Sequence, residues 1–96
     1  MTIEIWKYTL AVKHSQVVEM PKHAKLLTVQ VNLGEPCVWA AVNTQETYEK
    51  RVLITYGTGH PVQEITLFPF LGTYQLEQAD LPFPLVFHVF DGGVAA

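Results

Sequence analysis

At 96 residues and 10.8 kDa the chain carries one domain's worth of sequence, and 49% apolar against 16% charged residues excludes a disordered chain. Six Lys plus Arg stand against nine Asp plus Glu, for a net charge of −3, and Arg51 is the only arginine. That balance excludes a phosphate-neutralising nucleic-acid surface, which needs clustered cations. No apolar run approaches the roughly 20 residues of a membrane span, and the start Met1-Thr2-Ile3-Glu4-Ile5 lacks the features of a signal peptide. The single cysteine, Cys37, supports neither an intrachain disulfide nor a cysteine-based zinc site. The expectation is a small cytoplasmic domain with no membrane, nucleic-acid, metal or cofactor partner.

In the first segment Trp6, Tyr8, Leu10 and Val12 alternate with Lys7, Thr9, Ala11 and Lys13, the period of a half-buried strand. Val17 to Met20 is a short apolar piece stopped by Pro21. Pro21 to Lys25 has room for a single helical turn. Leu27, Val29 and Val31 then alternate with polar neighbours, Leu33-Gly34-Glu35-Pro36 is a turn signal, and Cys37 to Val42 resumes the strand pattern. Residues 26–32 and 37–43 therefore read as a hairpin. Asn43 to Thr47 is a polar loop. Tyr48 to Tyr56 alternates again, with Val52, Ile54 and Tyr56 on one face and Arg51, Leu53 and Thr55 on the other. Gly57-Thr58-Gly59-His60-Pro61 breaks that strand. Ile65 to Phe70 reads as an extended arm confined to an edge by Pro69. Leu71–Leu76 and Leu85–Phe90 are the last strands, joined by Glu77–Pro84. Residues 1–91 read as a single β domain and 92–96 as a flexible small-residue tail.

About six to eight short strands with no helical stripe imply an all-β fold, a small antiparallel sandwich or barrel. The strands around Trp39 and Phe87 are apolar on both faces. Either Cys37, Trp39 and Ala41 or Val38, Ala40 and Val42 face the core, and the other set meets protein as well. A subunit interface is one way to cover that second face, so a homo-oligomer is expected.

Chemistry concentrates in one segment. The glycines of Tyr56-Gly57-Thr58-Gly59-His60 permit positive φ and close approach of a ligand. Their successive N–H groups suit an anion nest, and Thr58 and His60 add polar contacts. The plainer reading is a tight turn leaving a strand. Trp6 and Trp39 offer rings for stacking, although core filling explains them as well. The cations available to an anion are Lys7, Lys13, Lys22, Lys25, Lys50 and Arg51, with Lys22 and Lys25 around His23 the best cluster. Catalysis has little support. The four histidines are far apart in sequence, Ser15 and its neighbour His14 point to opposite faces of a strand, and Cys37 reads as a small buried hydrophobe. His88 among phenylalanines reads as a satisfied histidine rather than a ligand.

The chain resembles a family of short, functionally uncharacterised proteins of tailed bacteriophages and prophages. The resemblance rests on Ile5-Trp6-Lys7-Tyr8, Met20-Pro21-Lys22, Ala24-Lys25-Leu26-Leu27, Val29-Gln30-Val31 and Pro36-Cys37-Val38-Trp39-Ala40. It continues through Tyr56-Gly57-Thr58-Gly59-His60-Pro61, Gly72-Thr73-Tyr74-Gln75-Leu76 and Val86-Phe87-His88-Val89-Phe90. In that family the position of His23 is commonly glycine, and Leu81–Pro84 looks like an addition. The resemblance implies a phage setting and a shared small fold, without a mechanism. The resulting expectation is an oligomeric, non-catalytic binding module that sequesters a small anionic, nucleotide-type host defence signal. Its ligand-binding residues would be Tyr56, Gly57, Thr58, Gly59, His60, Trp39, Trp6, Lys22 and Lys25. The alternative is a virion accessory or a protein that docks on a host protein.

Overall fold

The computed structural model describes residues 1–63 and 68–95. Among the described residues there are seven strands: β1 (Ile3–Thr9), β2 (Ser15–Pro21), β3 (Lys25–Asn32), β4 (Glu35–Asn43), β5 (Tyr48–Gly57), β6 (Phe70–Leu76) and β7 (Leu85–Val94). They form two antiparallel sheets, β1-β4-β3 and β2-β5-β7-β6. The all-β expectation holds, in the form of a sandwich. β3 lies against β6, so these two sheet edges cover each other.

Alternation decides which side of each strand is buried. Trp6 and Tyr8 pair with Ala40 and Val38, and both β4 partners are fully buried. Of the two arrangements open for β4, Val38, Ala40 and Val42 face the core. Trp39 and Ala41 lie on the outer face, half-buried. From the other sheet Leu53, Tyr74 and Val89 meet Leu10, Val29 and Val38. A second cluster of Met20, Ala24, Ala40 and Val42 fills the end beneath Trp6. Burial pushes the Tyr74 phenol above its ordinary value, and the Tyr8 phenol is raised by burial first and by Tyr48 second.

The β3–β4 hairpin forms as expected, one or two residues longer at its start. Its turn residues Leu33 and Gly34 have φ of +52° and +81°, as a type I′ turn requires. Leu33 is 95% exposed, so its side chain gains nothing there. Leu33→Asn is expected to raise stability by about 1 kcal/mol, because Asn tolerates the left-handed region far better than leucine. A denaturation midpoint that falls with an unchanged slope would contradict this reading.

Pro21 ends its strand as expected, as the last residue of β2, paired opposite Tyr48, and two other local expectations are corrected. β2 is an edge strand, where a missing N–H is tolerated. Residues 21–24 form a β-turn, closed by the Ala24 N–H donating to Pro21 O at 3.3 Å, rather than a turn of helix. His23 takes φ +66° in it, the left-handed geometry in which glycine is at ease. Finally, β7 continues through Gly92 and Gly93 to Val94. Two glycines look like a tail, but here they form a bulge opposite Val52. A Cβ on Gly92 would lie 3.1 Å from the Val52 carbonyl oxygen, and Gly93 has φ +85°. The expected arm over Ile65–Phe70 lies partly outside the described residues, and Phe70 opens β6.

Candidate functional site

β5 delivers Tyr56 to the outer face of the four-stranded sheet and ends at Gly57. The chain then turns through Thr58 and Gly59, with the His60 N–H donating to Gly57 O at 3.1 Å. Gly59 takes φ +88°, the value a type II turn needs at its third position. The His60 ring folds back over Gly57, where a Cβ would stand 3.1 Å from Nδ1. Glycine at 59 is therefore required for φ, and glycine at 57 leaves room for the folded-back His60 ring.

The loop is pinned to β7. The Thr58 N–H donates to Val86 O at 3.1 Å, and the Thr58 hydroxyl lies 2.7 Å from His88 Nε2. Thr73 lies 2.9 Å from His88 Nδ1. Both His88 ring nitrogens are thus engaged, as expected of a satisfied histidine. The same bonds remove the anion nest. Thr58 and His60 have already committed their N–H groups within the fold, so the loop backbone lacks the successive free donors a nest needs.

What the loop provides instead is a ridge. Three concavities meet at Gly57 and His60. One, of about 410 Å3, is walled by Val12, Lys13, His14, Tyr56, His60 and Phe87. The second, about 310 Å3, lies over Val62, Phe70, His88 and Phe90. The third, about 430 Å3, runs along Phe83 to Phe87. An aromatic row floors the first two. The Tyr56 ring meets His14 edge-on at 5.1 Å and Phe90 at 6.1 Å, and Phe70 meets Phe90 at 5.2 Å. The Tyr56 hydroxyl donates to Gln63 O at 3.0 Å, which fixes the ring.

Lys13 and His14 were not singled out for this role by the sequence. They arrive in the first cleft because Gln16 closes the β1–β2 connection. Its side chain accepts from the Ala11 N–H at 3.0 Å and donates to Ala11 O at 2.8 Å, a mimic of strand pairing. His14 Nδ1 lies 3.1 Å from Thr55 O. A carbonyl only accepts, so Nδ1 is the donor in this contact. The partner Thr55 is 41 residues away, too far for local pattern to show.

The remaining candidates do not join this cleft. Trp6 faces the interior against Met20, Ala24, Ala40 and Val42, and its indole N–H donates to Glu4 Oε1 at 2.8 Å. Trp39 lies on the outer face of the other sheet, between Lys7 and Thr28. Lys22 and Lys25 border a separate concavity of about 350 Å3 with Met1, Ile3 and Ala41. Arg51, counted among the available cations, is buried. It donates to Asp91 Oδ2 at 2.7 Å and to Ala24 O at 2.9 Å, so it is committed to the fold. Cys37 is 1% exposed. Among the described residues no group of three or more His, Cys, Asp or Glu side chains is placed to hold a metal.

No curated protein and no solved structure matches this sequence. A family profile does: residues 1–95 match a family described as a domain of unknown function, DUF7352, and the chain belongs to that family.

Proposed function

We propose that the protein is a non-catalytic, oligomeric binding module that takes a small anionic, nucleotide-type ligand in the cleft beside the Gly57–Pro61 loop. In a phage or prophage setting, its role would be to hold a host defence signal away from its receptor. One observation carries this reading. A cleft of about 410 Å3 combines a cation, Lys13, an imidazole, His14, and the fixed Tyr56 ring beneath the His60 ridge. That is the usual make-up of a small-molecule site: mostly apolar walls, a few polar groups and a volume of a few hundred Å3. Lys13 supplies charge that the loop backbone does not.

Calorimetry against a panel of nucleotides tests it. His60→Ala and Lys13→Ala are each expected to cost about 1–3 kcal/mol of affinity, as expected for loss of a hydrogen-bonding or charged contact in a partly dried site. Both positions are exposed, so the melting temperature should hardly move. Wild-type protein that binds no nucleotide would remove the reading.

A second reading, docking on another protein, is favoured by a different observation. Ile3 and Ile5 are 54% and 64% exposed on the outer face that also holds Trp39.

A further inference from the structure

We infer that copies of this chain join head to tail, the outer face of the β1-β4-β3 sheet receiving the β6–β7 hairpin tip of the next copy. The inference rests on the oligomer in the reading above and names its two surfaces; it does not depend on the ligand.

The first surface is set by register. Across the sheet, Ala41 pairs with Ile5 on one side and Lys25 on the other, and Trp39 pairs with Lys7 and Thr28, so each trio shares one outward-facing rung. Ile3 continues the apolar row, opposite Asn43. These central rungs carry two lysines and no carboxylate. A concavity of about 350 Å3 opens beside Ile3, Lys25 and Ala41, with Lys22 on its rim and Glu46 as its single carboxylate. The second surface is the connection after Leu76. It carries Glu77 and Asp80, no cation, and Leu81 and Phe83 at 38% and 58% exposure. Pro82 and Pro84 stiffen it, and a turn from the Leu81 N–H to Gln78 O shapes it, so little order is lost on docking.

The two surfaces are opposite in sign, and each exposes apolar groups beside its charges. Each therefore fits the other better than it fits itself. A self-paired lysine face would oppose Lys7 and Lys25 to their own copies, and like charges across an interface are costly. Because the patches differ, the contact is heterologous and closes into a ring or continues as a filament. Phe83 entering the concavity beside Ile3 would be its apolar anchor, the kind of residue that dominates interface energetics.

The test uses two charge-reversed chains: Lys7→Glu with Lys25→Glu, and Glu77→Lys with Asp80→Lys. All four positions are exposed, so circular dichroism and melting should match wild type. Each variant alone is expected to lose self-association by about tenfold or more on analytical ultracentrifugation. Mixed together, the intact tip of one chain meets the intact face of the other and the two reversed surfaces are again opposite in sign, so the equimolar mixture should recover the assembly that each variant alone has lost. The chain with all four reversals should assemble like wild type. A wild type that is monomeric at high micromolar concentration would overturn both this inference and the oligomer. A wild-type oligomer that both reversals leave unchanged would overturn the inference alone. A mixture that stays monomeric while each variant has lost assembly would overturn it too.

Discussion

Asp91→Ala is expected to lower the unfolding free energy by about 3–5 kcal/mol, the loss typical when one member of a buried ion pair is removed. Asp91 and Arg51 have side chains only 16% and 10% exposed. One carboxylate oxygen accepts from Arg51 at 2.7 Å and the other from the Gly93 N–H at 2.8 Å. Truncation would leave the guanidinium buried without a counter-charge and would release the bulge that carries β7 past Val52. Arg51 also donates to Ala24 O, so the pair ties β5 and β7 to the β2–β3 turn. Replacing both members, Arg51→Met with Asp91→Leu, should cost less than Asp91→Ala alone, because no orphaned charge remains. Urea denaturation of the three chains checks this. A double variant weaker than the single one would mean that geometry, rather than charge compensation, dominates.

Leu53→Ala is expected to cost about 2–5 kcal/mol. Leu53 has no exposed surface and lies on β5, an interior strand of the four-stranded sheet, against the Val38 and Val89 cluster. A two-layer domain of this size has few residues to close around the void, so the loss should fall on the midpoint with the slope unchanged. A loss under about 1 kcal/mol would show that the sheets slide together over the missing side chain. Total stability for such a domain is about 5–15 kcal/mol, so either variant consumes a large share of it.

Much of the fold was legible because period-two alternation is a local property. The hairpin of Leu33 and Gly34, the strand through Leu53 and the strand through Phe87 all follow from it. What misled was punctuation. The pair Gly92–Gly93 looks like a strand end. A bulge opposite Val52 absorbs it, and that depends on a strand distant in sequence. Sequence alone also left open which face of β4 was buried, since both sets are apolar. Pairing with Trp6 and Tyr8 decides it.

The site was legible in part for the same reason. Tyr56 to His60 stood out by composition, as a polar glycine-bearing break after an apolar strand. Its partners did not. Lys13 and His14 reach it through Gln16 and Thr55, and His88 is held by Thr58 and Thr73 from two other segments. Conversely, Trp6, Trp39, Lys22 and Lys25 were chosen by residue type, and register places them elsewhere. Arg51 shows the limit of counting charges: a lone arginine in an acidic chain was serving a buried aspartate rather than the surface.

Native mass spectrometry of protein recovered from the cells that express it tests the central claim most directly, because it reads assembly and retained ligand together. The account predicts an oligomer carrying the extra mass of a nucleotide-type anion, with that mass lost and the assembly kept in Lys13→Ala. A bare 10.8 kDa chain, or an extra mass that survives Lys13→Ala and His60→Ala alike, would contradict it.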